Sequence, residues 1–236
     1  MRITTTLSVL AILALFIGLS ASPAYANGCD VTITAATSIQ TTIDANPGDV
    51  VCLDDSGGDF EQQVVFDAAD SGVTLMAKPG DSPVMDGTAL VPIPALAADT
   101  HGIELLGGAS DVTIRGLEIR DYAGGFADPE DDRFSHAIHA RAGATSDITV
   151  HYNYLHDNKG NGVGVGGDGS FVHDNWEIEH NFTTDNVNNG INFNNAVESE
   201  IKDNFIHDNV ARGIGVSADY DFAVGGVTVG YCDKKE

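Results

Sequence analysis

Apolar and polar residues follow the same order three times between residues 148 and 216. In each repeat an apolar residue stands three positions before an asparagine, a second asparagine follows five positions later, and a glycine comes four positions beyond that. The asparagine pairs are Asn153 and Asn158, Asn181 and Asn186, and Asn204 and Asn209. The repeats contain short apolar pieces with a period of two, separated by Asn, Asp and Gly turns, which predicts short β-strands rather than helices.

The spacing of the repeats predicts a solenoid in which each repeat forms one coil. Asn153, Asn181 and Asn204 are 28 and 23 residues apart, which is a typical length for one unit of a repeat protein. Asn, Asp and Gly recur between the strands because these residues tolerate the left-handed backbone angles of tight turns. Parallel strands lie about 4.8 Å apart, so we expect equivalent asparagines to stack in corner columns and to bond along the axis.

This repeat resembles the right-handed parallel β-helix of the pectate-lyase-like superfamily, and the resemblance covers most of the chain. It implies an all-β solenoid over residues 50–236, preceded in residues 27–49 by a short strand and a capping helix. In the sequence, Ser38 is the predicted N-cap of a helix that continues to about Ala45 and is ended by Asn46, Pro47 and Gly48. Such a helix would cover the open end of the first coil, where strand groups would otherwise stay unpaired.

Residues 1–26 have the pattern of a secretory signal peptide, with Arg2, an apolar stretch over residues 7–19 and an Ala24-Tyr25-Ala26 cleavage site. We therefore expect a secreted or periplasmic protein. Export permits disulfides, and Cys29 and Cys52, which flank the first strand and helix, are the expected pair. Cys232 is then left as a free thiol or as the partner of a cysteine elsewhere.

The coil around Ile114 matches the later coils and fixes which columns face outward. Glu118 is unsuited to an apolar core, so its column is predicted to be external and the next column internal. The outward column is Glu118, Tyr154, Phe182 and Phe205, and the inward column is Ile119, Leu155, Thr183 and Ile206.

The formal net charge of -24 excludes a general affinity for nucleic acid or for anionic lipid, because the protein's field repels both. Beyond residues 1–26 the sequence has no apolar stretch long enough for a membrane span. The chain ends soon after a candidate strand at residues 227–229 without an evident cap. We expect either a fragment or an end that is covered by a partner or by another copy.

A second outward face carries residues that could take part in catalysis or binding. When the coils are aligned on their glycine corners, neighbouring coils contribute His101, Glu104, His136, His139 and Arg141 to this face. A lyase or C5-epimerase of uronic-acid polymers needs a base for the C5 proton, a proton donor and a cation that neutralises the carboxylate. His139 or His136 is the candidate base, and Arg141 is the candidate cation.

Amide and aromatic side chains further along are candidate substrate contacts. Asn192 and Asn194 follow the same face and are expected to contact sugar hydroxyls, and Tyr154 belongs to an aromatic stripe that could stack on sugar rings. The alternatives are that these polar residues are only the solvated exterior of a solenoid, and that the aromatic stripe only stabilises stacked coils.

The same histidines also form a candidate transition-metal site, made of His101, Glu104, His136 and His139. His136 and His139 are three residues apart, however, and a regular strand would place them on opposite faces unless a bend intervenes.

The acidic loop at residues 127–135 contains Asp128-Pro129-Glu130-Asp131-Asp132. It resembles the Asp-Pro-His-Asp motif of mannuronan C5-epimerases, but Glu130 stands where that family has its histidine. Asp128, Glu130, Asp131 and Asp132 are candidate Ca²⁺ ligands, and the alternative is a solvated loop.

The sequence therefore predicts a secreted parallel β-helix that acts on or binds an acidic polysaccharide, by lyase or C5-epimerase chemistry if it is catalytic. A non-catalytic carbohydrate-binding or cell-surface module and a periplasmic metal-handling protein are the alternatives. The fold-level analogy carries much of the first hypothesis.

Overall fold

The structure is a computed structural model that describes residues 28–90, 100–123, 135–140, 143–166 and 171–217. In the described residues, short strands are the main regular structure, with one α-helix, α1, at Ile39–Ala45 and two short 3-10 helices. The strands are β1 Val31–Ile33, β2 Val50–Leu53, β3 Val64–Phe66, β4 Thr74–Ala77, β5 Val84–Asp86, β6 Ile103–Leu105, β7 Ser110–Arg115, β8 Glu118–Arg120, β9 Ile138–Ala140, β10 Ser146–His151, β11 Tyr154–His156, β12 Val163–Val165, β13 His173–Glu179, β14 Phe182–Thr184, β15 Ile191–Asn194, β16 Ala196–Val197, β17 Glu200–Lys202, β18 Phe205–His207 and β19 Ile214–Ser217.

These strands form three parallel sheets that run along the axis of a solenoid. Sheet A has the order β1-β2-β4-β7-β10-β13, with β16 and β17 both pairing with β13; sheet B is β5-β8-β11-β14-β18, and sheet C is β3-β6-β9-β12-β15-β19. From β4 onward, each coil places a strand in sheet A, then in sheet B, then in sheet C. The predicted all-β parallel β-helix is confirmed.

The register of the sheets confirms the predicted inward and outward columns. Val150 pairs with Ile114 on one side and Ile178 on the other, and Leu155 pairs with Ile119 and Thr183. Ile114, Val150, Ile178, Ile119 and Leu155 are all fully buried in one hydrophobic cluster that fills the solenoid. The alternation of strand side chains then places the column of Glu118 and Tyr154 outside.

Two columns of asparagines bond the coils together at the corners, as predicted. In the first, Asn181 Oδ1 accepts from the backbone N and from Nδ2 of Asn153, both at 3.0 Å, and Asn204 Oδ1 accepts from Asn181 in the same way at 2.9 and 3.0 Å. Asn181 Nδ2 also donates to Val150 O at 2.8 Å. We call this column the A–B ladder because it lies between sheets A and B. The second column is Asn158, Asn186 and Asn209.

The N-terminal segment also agrees with the sequence. Ser38 Oγ accepts from the backbone N of Thr41 at 3.2 Å and caps α1, and the helix buries Ile39 and Ile43 completely. Strand β1 pairs in parallel with β2 and so is the first strand of sheet A. A disulfide joins Cys29 to Cys52, with Cα atoms 5.6 Å apart, as predicted. Disulfides persist in oxidising compartments.

Several predicted features lie outside the described residues. They are the signal peptide at residues 1–26, Arg141, the acidic loop with Asp128, Glu130, Asp131 and Asp132, the strand at residues 227–229, and Cys232. Within the described part of the chain, no helix is both long enough and apolar enough to cross a membrane.

Candidate functional site

The candidate site lies on the outer face of sheet C. In β6 and β9 the first and last residues belong to the hydrophobic core, so the middle residues, Glu104 and His139, point outward. These two residues are direct partners in the register between the strands. The same outer row then continues along the sheet through Gly164, Asn192 and Gly215. The structure thus brings three of the predicted site residues, Glu104, His139 and Asn192, into one row.

His101 and His136 lie beside this row, at the corner that precedes sheet C. The ring centroids of His101 and His139 are 4.0 Å apart, those of His136 and His139 are 4.6 Å apart, and those of His101 and His136 are 5.2 Å apart. His136 and His139 share a side because β9 begins only at Ile138, after a bend at Ala137. The expectation that a strand would separate them does not apply, since His136 is not in the strand.

The Nδ1 atoms of two of these histidines act as ladder acceptors. His101 Nδ1 accepts from the backbone N of His136 at 3.1 Å, and His136 Nδ1 accepts from the backbone N of Asn161 at 2.8 Å. Asn161 Oδ1 then accepts from the backbone N of Asn189 at 2.9 Å. His101, His136, Asn161 and Asn189 therefore form one column, which we call the C ladder. Nδ1 of histidine and Oδ1 of asparagine are each three bonds from Cα, so they reach the same N–H.

This bonding fixes the protonation state of His101 and His136. A ring nitrogen that accepts from an N–H carries a lone pair, so a neutral ring must hold its proton on Nε2. Neither Nδ1 is then available as a general base while the ladder is intact. Of the two bases that the sequence predicts, His139 therefore fits the role better than His136.

The hydrogen bonds of the C ladder also bear on whether the histidine cluster can bind a transition metal. Ligand atoms of His101, Glu104 and His139 all lie within 4.8 Å of one another. A metal-bound histidine, however, normally donates its second ring N–H to an oxygen, whereas His101 Nδ1 accepts an N–H. With His101 excluded, Glu104 and His139 are fewer ligands than the three that a catalytic zinc site requires. Among the described residues, the histidine cluster therefore does not supply the ligand set of a transition-metal site.

The histidines are packed rather than solvated. His101 is 2% exposed, and His136 and His139 are each 7% exposed, although all three lie outside the hydrophobic core. The sequence-based view of this face as a solvated exterior is therefore wrong for these residues. Replacing His139 by Ala is therefore expected to disturb packing, because the ring is buried against two other rings.

Gly164 lies on this face at a point where two side chains of the C ladder come close to its backbone. A Cβ atom on Gly164 would lie 3.1 Å from His136 Nδ1 and 3.1 Å from Asn161 Nδ2. The absence of a side chain at Gly164 thus lets these ladder side chains pack against the backbone. Asn192 and Asn194 are partly buried and continue the outer face of β15.

Tyr154 is separate from the histidine site. It lies on sheet B, 38% exposed, and its ring is stacked on His156 with the centroids 4.0 Å apart. Further along the same stripe, Phe182 and Phe205 stack nearly parallel, with centroids 4.8 Å apart. These rings cover one another's faces, which favours the alternative that the stripe stabilises neighbouring coils.

Several cations of the described chain are already paired with carboxylates. Lys202 Nζ lies 2.9 Å from Glu177 and 3.0 Å from Glu200, and these bonds raise the pKa of Lys202. Arg120 lies 3.0 Å from Asp86 and 3.2 Å from Asp59. Because these cations already neutralise carboxylates of the protein, an anionic ligand needs other cations at its own site.

The structural role of His101 and His136 was not predicted from the sequence. The signal was present, because both histidines stand at the same offset before a glycine corner or strand as Asn161 and Asn189 do. Histidine in two coils and asparagine in the next two occupy the same position of the repeat, which indicates a shared acceptor role.

Comparison with known proteins identifies the type of repeat. The family model described as a right handed beta helix region matches residues 24–233. Searches of the curated proteins and of the solved structures returned no match.

Proposed function

The chain belongs to the right-handed β-helix family, and on this fold we propose that it binds an acidic polysaccharide along the outer face of sheet C. The observation that carries the proposal is the continuous row of Glu104, His139, Gly164, Asn192 and Gly215. The strands that hold this row are spaced about 4.8 Å apart. Polar groups therefore recur along a straight line, as an extended polymer requires.

The residues of the row offer complementary chemistry. Glu104 and His139 are neighbours across two strands, and they provide an acid and a base at the same point. Asn192 adds an amide that can both donate to and accept from a sugar hydroxyl. The flanking C ladder holds the backbone of this face in place, so the row does not depend on a mobile loop for its geometry.

If the protein is catalytic, His139 is the base that we propose. It would take the C5 proton of a uronic acid. In a lyase the C5 electron pair then forms the C4–C5 double bond, the bond from C4 to the glycosidic oxygen breaks, and that oxygen receives a proton from protonated Glu104. In an epimerase a proton is instead returned to C5 from the opposite face.

The charge of the protein sets a further requirement. A net charge of -24 repels a polyanion, so carboxylates of the substrate need a local cation. Arg141, directly after β9, and Ca²⁺ held by Asp128, Glu130, Asp131 and Asp132 are the two proposed sources. Binding through either should weaken as salt is added, because screening reduces the attraction.

The test measures binding and turnover separately. The protein is incubated with alginate, polygalacturonate, a glycosaminoglycan and a neutral dextran, with and without Ca²⁺. Binding is followed by affinity electrophoresis, lyase products by the absorbance of the new double bond, and epimerisation by proton NMR. We expect retardation by at least one acidic polymer and no retardation by dextran.

Variants then place the binding on sheet C. Asn192→Ala should weaken binding, and His139→Asn should lower any turnover by at least about 100-fold. His180→Asn is the matched control, since His180 has a side chain that is 40% exposed and lies between β13 and β14, at the corner between sheets A and B. Binding without turnover in the unmodified protein would identify a non-catalytic module. Retardation by none of the acidic polymers would refute the proposal.

A further inference from the structure

We propose that His101 and His136 form a proton-sensitive latch, which keeps the corner before sheet C closed only while both imidazoles are neutral. This latch concerns the stability of the fold and does not depend on the proposed polysaccharide.

The latch follows from the position of the lone pairs. In the neutral ring that the ladder requires, Nδ1 is the only nitrogen that can take up a proton. That nitrogen accepts from the backbone N of the next coil, at 3.1 Å for His101 and at 2.8 Å for His136. A proton added to Nδ1 would face the proton of the N–H. The bond between the two coils must therefore open before either ring can become charged.

The neighbouring groups strengthen this effect. Among the described residues, the ionisable groups around the two rings are His139 of β9 and Glu104 of β6, together with the rings themselves. A charge on one imidazole would lie within about 5 Å of two further imidazoles, which disfavours a second charge. Glu104 is the one described carboxylate in the cluster, and it can compensate at most one of these charges. On the following coil, the described residues that His136 meets include the uncharged Asn161 and Gly164.

The sensitivity to protons is confined to one part of the C ladder. Asn161 Oδ1 accepts from the backbone N of Asn189 at 2.9 Å, and an amide does not change its charge in the physiological range. Acid should therefore loosen the coils that contain His101 and His136 and leave the contact between Asn161 and Asn189 unaffected. The loosened coils are the ones that hold Glu104 and His139.

The sign of the pH effect follows from linkage. A solvated imidazole has a pKa of about 6.5, so below that pH the unfolded chain takes up protons that the latched fold excludes. The unfolded state then binds more protons than the folded state, and stability falls as the pH falls. Between pH 7.5 and pH 5.0 the folding equilibrium constant should decrease about 30-fold for each excluded proton.

The experiment compares the unmodified disulfide-bonded protein with the double variant His101→Asn/His136→Asn. Asparagine keeps the acceptor in the ladder and removes the titration. Urea unfolding is measured at pH 7.5 and pH 5.0 for both proteins, and other titrating groups cancel in the difference. On acidification, the folding equilibrium constant of the unmodified protein should decrease by up to about 10³-fold more than that of the double variant. His180→Asn, at an exposed histidine outside the ladder, should keep the loss of the unmodified protein.

A second measurement covers the case in which the double variant does not fold. Nitrogen-15 NMR of the unmodified protein reports the protonation of each ring directly. At pH 5.0 the rings of His101 and His136 should remain neutral, with the proton on Nε2, as long as the fold is intact. Equal acid sensitivity of the two proteins would overturn the proposal, and so would protonation of both rings near pH 6.5 in the folded protein.

Discussion

The A–B ladder and the C ladder meet the same structural requirement with different side chains. At each corner the chain leaves one sheet, and a backbone N–H loses its strand partner and needs another acceptor. In the A–B ladder, the amide of the following coil accepts from the preceding coil. In the C ladder the direction is reversed, because the side chain of the preceding coil accepts from the following coil. The same requirement is thus met from either side.

The two ladders differ more in the hydrogen-bonding groups that their side chains offer. Asn181 accepts through Oδ1 and donates through Nδ2 to both Val150 O and Asn204 Oδ1, so it closes several bonds at once. In the C ladder, His136 Nδ1 accepts the bond from the next coil. We expect the A–B ladder to stabilise more, because each amide there closes several bonds, and to be insensitive to pH, whereas the imidazole bond responds to acid. The site lies beside the ladder that responds to acid.

The largest effect should come from removing an amide in the A–B ladder. Asn181→Ala deprives Asn153 of its acceptor and leaves buried groups on two coils unsatisfied, which should cost about 3–5 kcal/mol of unfolding free energy. Asn161→Ala in the C ladder removes the acceptor for one N–H and should cost about 1–2 kcal/mol. Urea unfolding measures both. Equal losses would mean that the two ladders do not differ in strength.

The second-largest effect is expected at His173, a buried histidine that does not belong to the C ladder. His173 is fully buried, its Nδ1 lies 2.9 Å from Thr145 Oγ1, and burial lowers the pKa of His173 to about 4. Because that pKa lies below the value of about 6.5 in the unfolded chain, stability should fall by about 3 kcal/mol as the pH falls from 6.5 to 4.

The variant His173→Leu isolates this contribution from that of the C ladder. Its unfolding free energy should change less between pH 6.5 and pH 4 than that of the unmodified protein, as followed by urea denaturation. Thr145 keeps a partner in this variant, since Trp176 Nε1 also donates to Thr145 Oγ1 at 3.0 Å. An unchanged pH dependence would assign the acid sensitivity to other groups.

A smaller effect tests the equivalence of Nδ1 and Oδ1. At pH 7.5, His136→Ala should cost about 1–2 kcal/mol, since the backbone N–H of Asn161 loses its acceptor. His136→Asn should cost less than about 1 kcal/mol, because the amide restores that acceptor. The comparison is made by thermal and urea unfolding. If both variants lose the same stability, the hydrogen bond is not what His136 contributes.

The smallest effect concerns the proposed Ca²⁺ site of the acidic loop. If Asp128, Glu130, Asp131 and Asp132 bind Ca²⁺ weakly, millimolar Ca²⁺ should raise the unfolding free energy by about 1 kcal/mol, through mass action on the folded state. The double variant Asp131→Ala/Asp132→Ala should lose this response. Differential scanning calorimetry with Ca²⁺ and with Mg²⁺ measures it. A melting temperature that does not change at saturating Ca²⁺ counts against this site.

The columns of the solenoid could be predicted because the pattern is repeated and local. Each coil states the same positions again, so the alignment of Ile114, Val150 and Ile178 is supported three times. The outward position of Glu118 followed from its charge alone. The placement of Glu104 and His139 on one face followed from the same alignment, and the structure agrees.

The error in the sequence-based view concerned burial and the use of ring nitrogens. The sequence places His101, His136 and His139 outside the core, and this is correct. It cannot show that they pack to 7% exposure or less, because their covering and stacking depend on residues of other coils. The objection that His136 and His139 lie on opposite faces assumed a regular strand, and the strand starts two residues after His136.

By itself, then, the sequence determined the fold class, the inward columns, the asparagine ladders, the helix cap and the disulfide. The inward columns and the asparagine ladders depend on residue types that have one physical solution at a recurring position: apolar side chains inward, and small amides at tight corners. Only the tertiary structure decided what His101 and His136 do. An imidazole has two nitrogens that can donate, accept or bind a metal, and the choice is made by the N–H of a residue 35 or 25 positions away in the chain.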